Sequence, residues 1–218
     1  MRHLTYDISE EAYHAKPFDF YFSDMSCGAF DIETTGLSPD RCYVILIGFM
    51  KISDGVCRLH QYFADSLSEE ADIIRAFLRD AEDTDVLITY NGRSFDIPFL
   101  EKRMSRYPDL SEKLDAVNAR MEDMQIPFIT GAVYDVRMRG QWSLKVIMSM
   151  MNDASYQDLD INQGMEAVYQ WRHLYYDDDT PEEEKEKIIE NLRKYCGMDA
   201  YAMTVVYRWL LNICREPK

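Results

Sequence analysis

FDIETTG, residues 30–36, is the stretch whose reading decides the fold. Phe30 and Ile32 alternate with Asp31 and Glu33. In a β-strand, residues i and i+2 share a face. Both carboxylates therefore project together, and Phe30 and Ile32 point the other way. Two neighbouring negative charges repel, and they resist burial unless something cationic compensates them. Such a pair is either a solvated strand end or one wall of a divalent-metal site, and the rest of the chain discriminates between the two.

Around this pair, CGAFDIE (27–33) is strand-like, and TGLSPD (35–40) has the Gly, Pro and Asp of a turn. YVILIGFM (43–50) is a continuous apolar run, as expected for a central strand buried on both faces. ISDG (52–55) makes a hairpin turn into a third strand, VCRLHQYF (56–63). Ser66-Leu-Ser-Glu69 is a capping-box pattern that opens a helix with Ile73, Ile74, Phe77 and Leu78 on one face. VLITY (86–90) is a short strand broken by NGRS. DIPFLEKRMSRY (96–107) is a helix that tolerates Pro98 in its first turn. VYDV (133–136) supplies a fifth strand.

The last third is helical. Ser143 opens one short helix, and residues 162–176 form another. Thr180-Pro181-Glu-Glu183 starts a third, with an N-cap Thr, Pro at the first position and acids in the first turn. That helix runs to about Cys214, with a bend expected at Gly197. Residues 1–24 are an N-terminal extension whose Tyr13, Phe18, Phe20, Tyr21 and Phe22 are expected to pack on the domain edge. Residues 25–218 form one α/β domain, a mixed sheet flanked by helices.

An apolar fraction of 47% with 13% aromatics excludes a disordered chain. Twenty-four basic residues against 39 acidic ones give a formal charge of −15. That excludes a sequence-independent binder of long duplexes, which needs an extended basic face. It leaves room for an enzyme that holds a short strand end in a local pocket. Cys27, Cys42, Cys57, Cys196 and Cys214 are odd in number and irregularly spaced, as for reduced thiols in a cytoplasmic protein. The N-terminus has acids where a signal peptide needs an apolar core, and the longest apolar run, 42–50, is too short to span a bilayer.

Further features join Asp31 and Glu33. TYNGRSFDIPFL (89–100) places Asn91 and Asp96 around a strand-to-helix turn, with Asp96 at a helix N-terminus where the dipole favours a carboxylate. Tyr195 and Asp199 stand at i and i+4, on one face of a helix that continues as the apolar AYAMTVVYRWLL. FDIETTGL, YNGRSFDIPFL and YCGMDA are similar to the three motifs of the DEDD (DnaQ-like) superfamily of 3′→5′ exonucleases, in its Tyr variant. QWSLKVIMSMM (141–151) and DINQGMEAVYQWRH (160–173) resemble the middle region of the YprB-like ribonuclease H-like exonuclease family. The resemblance covers roughly residues 27–212.

It implies a ribonuclease H-like mixed five-stranded sheet flanked by helices. It also implies Asp31, Glu33, Asp96 and Asp199 as ligands of two Mg²⁺ or Mn²⁺ ions, since hard oxygen ligands suit these ions. Tyr195 would orient the attacking water, because a phenol with a pKa of about 10 is a poor base at neutral pH. Thr34, Asn91 and Arg93 are the expected substrate contacts, and Phe95 is expected to pack below the site. The implied substrate is single-stranded DNA or RNA with a free 3′ end, and a protein partner could supply the missing basic surface.

Two other patterns compete. His173-Leu-Tyr-Tyr-Asp177-Asp178 has the spacing of the superfamily's His variant, but a solvated acidic loop follows it instead of an apolar helix. Arg137, Arg139, Trp142 and Lys145 could bind phosphates and stack a base, or be ordinary surface charge beside a core Trp. The alternative function is a catalytically weak ribonuclease H-like module that binds nucleic acid or a partner. Against it, a retired site has no reason to keep clustered charge.

Overall fold

The computed structural model describes residues 1–7, 26–53, 56–151, 156, 159–161, 164–176 and 179–215. Among the described residues, six strands form one mixed sheet: β1 (Arg2–Asp7), β2 (Cys27–Thr34), β3 (Val44–Ser53), β4 (Val56–Phe63), β5 (Val86–Thr89) and β6 (Met121–Asp123). Their spatial order is β1-β4-β3-β2-β5-β6. The pairs β1/β4, β4/β3 and β3/β2 are antiparallel, and β2/β5 and β5/β6 are parallel. The described helices are α1 (Glu70–Asp80), α2 (Asp96–Met104), α3 (Ser111–Asn118), α4 (Ile126–Ile129), α5 (Leu144–Met150), α6 (Gly164–Tyr176) and α7 (Glu182–Arg215).

The alternation in β2 sorts two cores. Phe30 and Ile32 join Ile47, Phe49, Phe77 and Leu100 beneath α1 and α2. Cys27 and Ala29 join Met50, Ile147, Trp171 and the apolar face of α7 on the other side. Asp31 and Glu33 continue this second row, so they meet α7. Gly48 lies opposite Asp31 in β3. A Cβ there would stand 2.6 Å from Cys196 Sγ and 3.2 Å from the Cys196 carbonyl oxygen. The bare glycine lets α7 approach the sheet beside Asp31.

The sheet departs from the sequence expectation at both edges. Residues 2–7, assigned to the extension, pair with β4 as an edge strand. Val133–Val136 is not a strand: Asp135 caps a single 3₁₀ turn at Val136–Met138, its side chain accepting from the Arg137 N–H. The far edge is instead Met121–Asp123, three residues long and too short for an alternating pattern. Helix α7 runs unbroken through Gly197. At the start of α1, the Glu69 carboxylate accepts from the Asp65 N–H at 2.8 Å, one residue earlier than the capping box places it. The aromatics between Tyr13 and Phe22, and residues 54–55 of the 52–55 turn, lie outside the described residues.

A buried ion pair fixes the loop that follows Glu33. Arg103 donates to both Glu70 oxygens, at 2.8 and 2.7 Å, and to the Pro39 carbonyl at 3.1 Å. Glu70 also accepts from the Val44 N–H at 2.8 Å, and the guanidinium lies 4.2 Å from the centre of the Tyr43 ring. With its hydrogen bonds satisfied, this pair ties α1 and α2 to the 35–43 turn.

Candidate active site

Three stretches of chain deliver the acids. β2 presents Asp31 and Glu33, and its pairing with β3 shifts register between Glu33 and Thr34. Such a bulge ends the ladder and bends the strand beside the site. After β5, Asn91 takes a left-handed conformation, with φ 66°, which an asparagine tolerates. Gly92 follows; a Cβ there would meet the Thr89 side chain at 2.4 Å. Asp123, on β6, accepts from the Asn91 and Arg93 N–H groups at 2.8 and 3.0 Å and so holds this turn. The turn delivers Asp96 as the first residue of α2. Helix α7 delivers Tyr195 and Asp199.

These elements converge. Ligand oxygens of Asp31, Glu33 and Asp199 all lie within 4.8 Å of one another. They line a cavity of about 380 Å³ together with Thr34, Tyr90, Asn91, Phe95, Asp96 and Tyr195. Asp96 faces the same cavity, but its Oδ1 accepts from the Ile32 N–H at 3.1 Å, which ties it to β2. Phe95 lines the cavity as well instead of lying beneath it, and its ring packs on Phe99 at 5.6 Å. Arg93 does not line it: its guanidinium donates to the Met121 carbonyl at 2.8 Å. The Thr34 hydroxyl donates to the Gly36 carbonyl at 2.8 Å.

The electrostatics are strained in one direction. Burial, then the charges of Asp96, Asp199 and Glu33, push Asp31 well above the carboxylate range. Glu33 is raised in the same way, first by burial and then by Asp199 and Asp96. Burial raises Asp96 to about 7 against the pull of the Ile32 N–H, and raises Asp199 to about 6 against hydrogen bonds from Tyr156 and Tyr195. The Tyr195 phenol is pushed far above its ordinary value, mainly by burial and then by the Asp199 charge. It therefore stays protonated and acts as a donor.

The structure adds Tyr156, which the sequence did not single out. Tyr156 donates to Asp199 Oδ1 at 2.5 Å. It sits in a polar stretch without periodicity, so no pattern marks it. Lys145 Nζ lies 5.0 and 5.3 Å from the ring centres of Tyr156 and Tyr195, and its charge reaches Asp199 and Glu33. Of the four-residue basic and aromatic group, Lys145 is the one turned toward the carboxylates. Arg137 is paired with Asp135 at 2.6 Å, and Trp142 is 43% exposed, its carbonyl accepting from the Tyr90 hydroxyl. Gly48 did carry a signal: a glycine inside an apolar strand marks a close backbone approach. His173 lies apart, on α6, with its Nε2 3.4 Å from Glu184 and in a separate hollow with Asp160, Glu166 and Tyr169. Asp177 and Asp178 are outside the described residues.

The donor set fits a hard divalent cation. All the donors are carboxylate oxygens, and Glu33 Oε1 is buried with no hydrogen-bond partner among the described residues. A cation there would satisfy that atom and reverse the pressure that raises all four acids.

A mixed α/β sheet, antiparallel then parallel, with acids converging at the end of its first long strand and beside a following helix, defines a ribonuclease H-like domain. A family profile described as the RNase_H superfamily matches residues 29–211, and the chain belongs to that superfamily. Among solved structures, the chain is similar to the family B DNA polymerase from the hyperthermophilic archaeon Pyrobaculum calidifontis. The TM-score is 0.66 over 86% of this chain, at 17% identity, and the match spans 24% of the polymerase chain. That likeness is one of fold. No helix among the described residues is long and apolar enough to cross a membrane.

Proposed function

We propose that the chain is a metal-dependent 3′→5′ exonuclease that removes nucleotides from the 3′ end of single-stranded DNA or RNA. The observation that carries this reading is the convergence of Asp31, Glu33 and Asp199 within 4.8 Å at a cavity shared with Asp96 and Tyr195. Asp31, Glu33, Asp96 and Asp199 would hold two Mg²⁺ or Mn²⁺ ions. When bound, such ions supply Lewis-acid polarisation of the phosphodiester and a water acidic enough to attack it.

The chain's own groups do the rest. The Tyr195 hydroxyl donates to Asp199, and its oxygen orients the water by accepting from it; as a phenol held protonated, it does not take the proton. Tyr156 fixes the Asp199 carboxylate through its 2.5 Å hydrogen bond. Lys145 offers positive charge toward the anionic substrate. The backbone of Asn91, with the side chains of Thr34 and Phe95, shapes the wall against which the terminal nucleotide lies. Leu37 and Met165, exposed at the rim, give apolar contact for a base. A cavity of about 380 Å³ suits one terminal nucleotide better than a duplex. We place Arg93 among the phosphate contacts only if its bond to Met121 opens.

The test is a pair of single strands of equal sequence, one linear and one circular, incubated with Mn²⁺. An exonuclease degrades the linear strand and leaves the circle intact. Cutting of the circle would make the enzyme an endonuclease on the same fold. Binding of both strands without cleavage of either would favour the binding-module reading.

A further inference from the structure

His3, His60 and Asp80 meet on the sheet face opposite the acidic site. In the β1/β4 pair His3 lies opposite Tyr62 and His60 opposite Thr5, so the two histidines are diagonal neighbours on one face. That face is the one beneath α1: Phe49, opposite His60 on β3, packs edge-on against Phe77. Asp80 closes α1 and comes down beside them.

The three donor atoms form a compact triangle. His3 Nε2 is 3.4 Å from His60 Nδ1 and 3.8 Å from Asp80 Oδ2, and His60 Nδ1 is 4.0 Å from Asp80 Oδ2. The point in their plane equidistant from all three lies about 2.2 Å from each, and a four-coordinate ion just above that plane about 2.3 Å, so a small inward shift of the side chains reaches zinc–nitrogen and zinc–oxygen bond lengths. The carboxylate is already oriented from behind. The Tyr62 hydroxyl donates to Asp80 Oδ2 at 2.8 Å, and Arg79 Nε donates to Oδ1 at 2.9 Å.

We propose that His3, His60 and Asp80 form a second metal site, specific for a borderline divalent ion of the Zn²⁺ class. Two imidazoles and one carboxylate distinguish it from the all-oxygen site, which suits Mg²⁺ or Mn²⁺. The site has a structural role. β1 is an edge strand, and the ion joins it to β4 and to the end of α1. A fourth position stays open to solvent, since all three side chains are partly exposed.

The test uses the full chain without a histidine tag, stripped of metal, and Co²⁺ as a spectroscopic probe. One equivalent is expected to give the intense visible absorption of tetrahedral cobalt, and Zn²⁺ to displace it. His3→Ala, at the sheet edge and compatible with folding, abolishes this band, and so does His60→Ala. Tyr62→Phe weakens binding by about tenfold, the usual cost of a lost outer partner. Asp31→Ala keeps the band, and the nuclease activity of His3→Ala is unchanged. Only weak octahedral absorption in the wild type, or an intense band that survives His3→Ala, would overturn the proposal.

Discussion

Replacing Asp96 by Asn tests the electrostatic account of the acidic site in the metal-free protein. Asp96 is 3% exposed, and its carboxyl is raised from the ordinary 3.8 to about 7. At about 1.4 kcal/mol per pH unit, that rise corresponds to roughly 4 kcal/mol of unfavourable charge at pH 8. The other three acids stay buried and crowded, so removing one charge is taken to relieve about half of this. The N-terminus of α2 also loses a favourable carboxylate, which costs up to about 1 kcal/mol. The amide oxygen can still accept from the Ile32 N–H. The net gain is therefore about 1–2 kcal/mol at pH 8, a rise in Tm of about 2–8 °C for a chain of this size. The sign follows from proton uptake. The folded state holds the Asp96 proton more tightly than the unfolded chain, so stability falls as pH rises from about 4 through about 7. The wild type carries the full penalty above that window, and the variant does not. Thermal melts in EDTA at pH 4, 6 and 8 should show the two proteins converging at low pH and the variant ahead at high pH. A wild type at least as stable as Asp96→Asn at pH 8, or a gap independent of pH, would refute the reasoning.

Other substitutions probe the remaining parts of the site. Tyr195→Phe should slow hydrolysis and leave metal binding unchanged, as read by titration calorimetry with Mn²⁺; an unchanged rate would return Tyr195 to a packing role, and loss of activity in His173→Ala would point to the His-variant motif. Gly48→Ala places a methyl 2.6 Å from Cys196 Sγ and 3.2 Å from backbone. It should cost about 1–3 kcal/mol in denaturant melts and lower activity by shifting the turn of α7 that holds Asp199; a variant with wild-type stability and rate would show that α7 does not depend on this close approach.

Much of the site was legible in the sequence because its acids sit on elements with strong local signals. The alternation of FDIE places both carboxylates on one face, and the apolar continuation after Asp199 anchors the third piece. Asp96 was legible as the acid that opens a helix after a Gly-containing turn. The sheet edges were not. β1 has no long hydrophobic run, and β6 is three residues whose place depends on parallel pairing with β5. Val133–Val136 has strand-forming residues, but Asp135 bonds its own backbone two residues on and makes a turn. Tyr156 and Asp123 escaped because they act through long-range hydrogen bonds, Tyr156 to Asp199 and Asp123 to the Asn91 and Arg93 N–H groups, which leave no periodic trace. Arg93 looked available from its place in the turn, but the guanidinium folds back on a strand carbonyl.

The central claim is most directly tested by a time course on 5′-labelled single-stranded DNA and RNA, with Mg²⁺, Mn²⁺ or EDTA, beside the Asp31→Ala protein. The account predicts a ladder that shortens from the 3′ end with either metal and is absent in EDTA and in the variant. A ladder that persists with Asp31→Ala, or no cleavage of either strand with either metal, would contradict it.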